Sequence, residues 1–445
     1  MSSKIKDGSN KSLINITFTI SNYVDRNSNI GLDVTTLTNG STITLDKVVP
    51  TLTSVTYSTD NASSLQSKVG DTITLDITAS EIISAPTVDF KTNGVTHTTQ
   101  TMIGSGNSYT SSFVTSNSHD DGNITFTISN ISDQANNDGI NVNTVTSGNI
   151  LIFDKTAPTF SSLSLTTSNS VNTISKDTDV VTLVMTSSED LTAPPTVLFK
   201  SGTTDLTTVT ATQPNVNDNT QFSASFTVSN AYVDGEIGYV ISNFTDVAGN
   251  AGTTYTENSS GVFIDNTSPT ITGVAVDGNN TQIELTLSEE VYSNSNGSGV
   301  LATTDVYLVL TGGTATLSSY YPTAITPIGV DLSRYTLTID TILQGSVQGS
   351  EVITITPSVD SMYDSAGNVA SVTQSNNTVQ LNDTSLPSMT TVSISSDNGN
   401  PSLAKAGNTI TLDLISTLFA IPYSDSSIGS EKYLIDSTPL VSLVI

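Results

Sequence analysis

The stretch Ile124-Thr-Phe-Thr-Ile-Ser-Asn130 alternates apolar and hydroxyl-bearing side chains, and it occurs again, letter for letter, from Ile16 to Asn22. A looser copy runs from Ile237 to Asn243, and a degenerate one from Val352 to Ser358. Strict alternation is the signature of a half-buried β-strand, and recurrence at long, near-constant intervals is that of a repeat protein. Each copy is followed by an Asp with an Asn four residues later: Asp25 and Asn29, Asp133 and Asn137, Asp246 and Asn250, Asp364 and Asn368. Some twenty residues further on, a strand ends in Asp with Pro four positions beyond, at Asp46 and Pro50, Asp154 and Pro158, Asp265 and Pro269, Asp383 and Pro387. The intervals between these Asp residues are 108, 111 and 118.

Working back towards the start of each unit gives another marker. Gly70-Asp-Thr-Ile-Thr-Leu-Asp-Ile77 alternates like a strand and runs into Ser80-Glu81; the equivalents are Ser188-Glu189 and Ser288-Glu289. Glu is scarce in this chain, so its return after Ser at the end of the same strand carries weight. Units of about 110 residues with seven or so short strands, turn residues between them and no helix-period segment predict an all-β fold of antiparallel β-sandwiches. In the unit beginning after Pro50, strands are expected at 72–78, 87–101 (two), 108–114, 124–129 and 149–153. The tight turn His119-Asp-Asp-Gly122 should join two of them.

These boundaries divide the chain into five segments. Residues 1–46 match the C-terminal strands of a unit; 47–154, 155–265 and the more divergent 266–383 are whole units; 384–445 match the N-terminal strands only, with Leu418 where the Glu would fall. The expectation is a fragment of a longer array whose two partial units are poorly ordered.

Composition excludes several functions. The chain has 445 residues, a formal net charge of −28, 13 Lys and Arg against 41 Asp and Glu, and no Cys. Disulfides and thiolate-held metals are impossible. So few cations build no basic face for nucleic acid or anionic lipid, and no apolar run is long enough for a spanning helix. Ser, Thr and Asn abundance with many β-branched apolar residues favours sheet.

The Asp-x-x-x-Pro boundaries, the Ser-Glu strand ends and the Asp-x-Ala-Gly-Asn loops (246–250 and 364–368) resemble the tandem bacterial Ig-like (BIg-type) repeats of large surface adhesins and other secreted proteins. The resemblance covers nearly the whole chain. It implies Ig-like β-sandwiches in a linear array, a non-enzymatic stalk role, an extracellular or cell-surface setting, and calcium at domain junctions. The implied partners are adjacent repeats of the same longer chain and a host or surface glycan or protein ligand.

Topology gives the calcium expectation a second basis. In an Ig-like sandwich the loop after the second strand and the loop before the last lie at the end where the chain enters. Asp46, Glu81, Asp133 and the amide of Asn137 should therefore meet at one pole. The same holds for Asp154, Glu189, Asp246 and Asn250, and for Asp265, Glu289, Asp364 and Asn368. Oxygen ligands on loops, without His or Cys, suit calcium. Crowded carboxylates repel unless a cation sits among them. The competing reading is turn chemistry alone, since Asp and Asn cap loops and a Glu can accept from nearby backbone.

Catalysis finds no constellation. His97 and His119 are the only histidines and recur in no other unit; both read as solvated surface residues. No Gly-x-Ser-x-Gly elbow is present, and Asn217-Asp-Asn219 lacks the Gly and Glu of an EF-hand loop. Lys47 and Lys155 follow linker Asp residues, but Asn266 at the matching place argues against a shared isopeptide crosslink. The alternative to a stalk is a ligand-binding module in 266–383. There Tyr320 and Tyr321 read either as a strand pair with one ring in the core or as rings that stack on a sugar.

Overall fold

The computed structural model describes residues 13–386, 389–405, 407–416 and 440–443. Leu418 and most of the segment after 416 lie outside the described residues, as do residues 1–12. The regular secondary structure of the described residues is almost entirely β-strand, with one short 3-10 turn at Thr303–Asp305, and no helix among the described residues is long and apolar enough to cross a membrane. Contacts group it into two compact units, Met1–Ser168 with Thr178–Ile264, and Asn169–Asp177 with Asp265–Ile445.

The first unit contains two sandwiches. In the first of these, Leu52–Thr59, Thr72–Ala79, Ser108–Val114 and Ile103–Ser105 form one sheet, and Gln66–Ser67, Ile152–Phe153, Gly122–Ser129, Thr87–Thr92 and Val95–Thr101 form the other. Alternation decides which side chains face inward. Ile73, Leu75, Ile77 and Ala79 are buried while the intervening Thr and Asp residues face outward. Register then brings Ile77 opposite Val55 and Tyr109, and Phe90 opposite Phe126. Phe90 and Phe113 meet across the core with ring centroids 4.7 Å apart. Each fully buried ring or branched chain of this kind stabilises the fold by about 1.5–3 kcal/mol.

The second sandwich repeats the plan. One sheet holds Phe160–Thr167, Val180–Ser187 and Gln221–Thr227; the other holds Phe263–Ile264, Gly235–Ser242, Thr196–Ser201 and Thr204–Thr210, with Tyr255–Glu257 added beside Gly235–Ser242. In the second compact unit, Ile271–Val276, Gln282–Leu287, Arg334–Thr338 and Ala324–Pro327 face Val306–Thr311, Val352–Pro357 and Thr378–Gln380. Each sandwich encloses its own hydrophobic core. These are tandem Ig-like β-sandwiches.

Two recurrent details follow from residues flagged by the repeat. A β-bulge falls just after the start of each first strand, at Leu52/Ser54, Phe160/Ser162 and Ile271/Gly273. It lies where the chain leaves the Pro that cannot donate to a ladder. Asn22, Asn130 and Asn243, which close the opening motif, all sit at φ 57°. Asn tolerates this left-handed conformation better than most residues, and it turns the chain from the strand into the acidic loop. One pairing was not anticipated: Ile152–Phe153 runs parallel to Gln66–Ser67, so the first strand of the unit is split between the two sheets.

Candidate functional site

The three acidic sets assemble at three places, and their carboxylates come together. Asp46, Glu81 and Asp133 each offer an oxygen within 4.8 Å of the others, as do Asp154, Glu189 and Asp246, and Asp265, Glu289 and Asp364. The loop Asp is the anchor of each set. Asp133, Asp246 and Asp364 are 2%, 1% and 0% exposed.

Why that Asp is buried and fixed is local chemistry. Oδ1 of Asp133 accepts the backbone N–H of Asn137 at 2.8 Å, and Oδ2 accepts its side-chain amide at 2.8 Å. Asp246 with Asn250 and Asp364 with Asn368 repeat both bonds at 2.8 Å, and Asp25 with Asn29 has the same loop. The Asn side chain also donates to the carbonyl of the linker Asp: Asn137 to Asp46 at 3.4 Å, Asn250 to Asp154 at 3.0 Å and Asn368 to Asp265 at 2.9 Å. Sequence reasoning cast Asn137, Asn250 and Asn368 as amide-oxygen ligands. Their contacts here run through the nitrogen, which makes each amide a brace joining loop to linker. The linker Asp is fixed by its own turn, accepting an N–H two residues on: Val48 for Asp46, Thr156 for Asp154 and Thr267 for Asp265.

Turn chemistry is therefore present at every set, but it does not explain the Glu. Glu81 is pushed above its ordinary value by burial, then by Asp46 and Asp133. Glu189 is pushed up to about 7 by burial, then by Asp154, Asp246, Asp121 and Asp190. Asp154 is raised by burial, with Asp246 and Asp121 adding to it against the turn bond from Thr156. Asp364 is raised by burial as well. Two unit charges at this separation repel by roughly 3–4 kcal/mol at an effective dielectric of about 20. Nearby cations do not relieve the second set: Lys68 Nζ donates to the Gly249 carbonyl at 2.8 Å, and Lys155 Nζ to the carbonyls of Asn117 and His119 at 3.2 and 2.5 Å. Asp121 spends its oxygens on Lys155 N–H and Thr156 Oγ1, so it clamps the linker.

A calcium ion touches its oxygens at about 2.3–2.6 Å, so three ligands of one ion must lie within about 5 Å of each other. The sets meet that condition with hard, anionic donors. Magnesium would demand a more rigid octahedron.

Other residues depart from the sequence reading. His119 is 7% exposed and stacks on His97 with centroids 4.1 Å apart, so it is no surface residue. Tyr320 and Tyr321 are 58% and 41% exposed, and neither ring enters the core. Tyr320 stacks on Tyr307 at 5.2 Å and 20°, and Tyr321 meets Tyr307 edge-on at 5.9 Å and 84°. Glu351, unremarked in the sequence, is fully buried and accepts backbone N–H groups of Thr314, Ala315, Gln348 and Ser350.

No protein-family model and no curated protein sequence matches the chain. Among solved structures, it is similar to one described as giving insight into host cell surface retention of a 1.5-MDa bacterial ice-binding adhesin, with 16% identity over 74% of this chain and 95% of that one, TM-score 0.33. Fibronectin(III)-like modules of Clostridium thermocellum CbhA share 13% identity over 47% of this chain and 94% of theirs, TM-score 0.20. A tandem pair of titin Ig domains shares 14% over 49% and 97%, TM-score 0.19. Scores this low carry no argument about activity; the fold rests on the sheets and cores described above.

Proposed function

We propose that this chain is a non-enzymatic structural segment of a large extracellular or cell-surface repeat protein, adhesin-like in role, whose repeat junctions are stiffened by calcium. The observation that carries this reading is the threefold recurrence of one constellation: a linker Asp, a strand-end Glu and a buried loop Asp with their oxygens within 4.8 Å. A cation held by linker and loops alike would resist bending where one sandwich follows another. With nearest-neighbour contact only, stability of such arrays depends on those junctions. Asp46, Glu81 and Asp133 would hold one ion, Asp154, Glu189 and Asp246 a second, and Asp265, Glu289 and Asp364 a third.

The test is a pair of melts of the full chain, one in EGTA and one in millimolar calcium. At about 10 mM calcium, roughly 10–100 times a Kd of 10⁻³–10⁻⁴ M, binding stabilises by about 1.4–2.7 kcal/mol per site, and small-angle scattering should report a stiffer particle with calcium. An unchanged melt and unchanged scattering would exclude the calcium junction.

A second reading is favoured by the tyrosine cluster. Tyr307, Tyr320 and Tyr321 form an exposed aromatic platform on the divergent repeat, and rings with one free face stack on apolar faces of sugars. Saturable glycan binding by the full chain, lost in Tyr320→Ala with Tyr321→Ala, would support a ligand-binding role; its absence on a broad array would remove it.

A further inference from the structure

The chain's two histidines, 22 residues apart in sequence, face each other in one sandwich, and His119 sits on the turn that grips the next linker. His97 is the extra residue of a β-bulge, lying between the register pairs Phe90 with Thr98 and Lys91 with Thr96. A bulge re-aims its side chain, and here the His97 ring stacks on His119. His119 packs against Phe113 at 5.8 Å and Phe153 at 5.9 Å. Its Nδ1 accepts the backbone N–H of Ser116 at 3.1 Å, while the backbone N–H of His119 donates to the Ser116 carbonyl at 3.0 Å. The first of these bonds requires a lone pair on Nδ1. An imidazolium has none there, so protonation sets donor against donor.

The same turn holds the chain where it enters the following repeat. Lys155 Nζ donates to the carbonyls of Asn117 and His119, Lys155 N–H donates to Asp121, and so does the Thr156 hydroxyl. The next repeat shows what this position needs structurally. Its bulge carries Leu206 in place of His97, and Tyr232 takes the place of His119, with the same backbone bond to a Ser three residues earlier and the same ring contact to a Phe. An apolar and an aromatic residue therefore suffice for packing. Two imidazoles add the capacity to change charge.

We propose that the His97–His119 stack is a pH-operated latch on the Lys155–Thr156 linker. With His119 neutral the turn 115–121 stays closed over the linker; protonating His119 breaks its bond from Ser116, places a cation beside the Lys155 ammonium and loosens the grip. The groups facing His119 reinforce this direction. From the strand 95–101 comes His97, and from the linker the Lys155 ammonium. Strands 108–114 and 152–153 present Phe113 and Phe153, which do not titrate. On its own turn, Asp121 is turned to the linker, and Asp120 adjoins it.

Burial, then His97 and Lys155, hold His119 below the ordinary imidazole value. A group depressed in the folded state has its full contribution above the unfolded value of 6.5. That contribution drains away as pH falls from there towards the folded value. Glu189 titrates in an overlapping range with the opposite sign, so the latch must be read residue by residue.

The experiment is an imidazole ring-proton titration of the full chain in EGTA, in which only two imidazoles report, combined with amide hydrogen exchange at Lys155. The His119 imidazole should titrate below 6.5, and the protection factor of the Lys155 amide should fall as pH is lowered from about 7.5 to about 5. In His97→Leu with His119→Tyr, the pair used by the next repeat, the protection factor should no longer fall as pH is lowered. Both imidazoles titrating at or above 6.5, a Lys155 protection factor that ignores pH in the unaltered chain, or the same dependence in the variant would each overturn the latch.

Discussion

Replacing Glu189 by Gln separates electrostatic crowding from structural support. The side chain stays nearly isosteric, while one charge leaves a site where burial first, and then Asp154, Asp246, Asp121 and Asp190, raise its carboxyl. A displacement from 4.5 to about 7 corresponds to roughly 3 kcal/mol; solvent screening reduces the share expected in stability to about 1–2 kcal/mol. The sign is definite. A carboxyl raised on folding destabilises at pH values above its folded pKa, and that cost disappears as pH falls from about 7 towards 4.5. In EGTA at about pH 7.5, therefore, Glu189→Gln should melt higher than the unaltered chain, and the difference should vanish near pH 5. In millimolar calcium the order should invert, because the unaltered chain gains an ion that the variant binds poorly. Thermal melts read by circular dichroism over this pH range, with and without calcium, give all four comparisons. A variant that melts lower in EGTA at pH 7.5 would refute the reasoning, since it would mean that Glu189 is held as a hydrogen-bonded structural group.

Two further outcomes concern the scaffold. Glu351→Ala should destabilise the second compact unit by about 3 kcal/mol or more, because the N–H groups of Thr314, Ala315, Gln348 and Ser350 lose one charged acceptor; urea unfolding would measure it. Gly139→Ala should cost about 1–3 kcal/mol by overpacking, since a Cβ there would stand 2.5 Å from the Pro50 carbonyl oxygen, and it should weaken the first acidic set in a calcium titration.

Much of the fold was legible because the signal is periodic and local. Ile73, Leu75 and Ile77 alternate with polar residues, so strand and inward face follow directly, and the recurring Asp and Asn pairs mark loops that close through their own hydrogen bonds. The convergence of Asp46, Glu81 and Asp133 was legible too, since a sandwich places those loops at one end. What escaped has a common cause. The parallel pairing of Gln66–Ser67 is two polar residues long and carries no pattern. Glu351 immediately precedes the most degenerate copy of the repeated strand, where the second unit has Glu236, and the chain order alone does not show that the turn through Gly312 and Gly313 closes over its carboxylate. His97 and His119 could have been found. Aligned against Leu206 and Tyr232, both occupy positions that the next repeat fills with an apolar and an aromatic side chain, which argues against solvated residues. Tyr320 and Tyr321 read as a strand pair with one ring in the core because adjacent strand residues point to opposite faces, but they lie outside the regular strands.

Isothermal titration calorimetry of calcium into the full, chelator-treated chain bears most directly on the junctions. Three carboxylate sets predict three ions per chain at affinities of roughly 10⁻⁴–10⁻³ M, in the range of extracellular calcium modules. Asp154→Asn with Glu189→Gln should reduce that number to two. No saturable heat in the unaltered chain, or a stoichiometry untouched by the double substitution, would contradict the account.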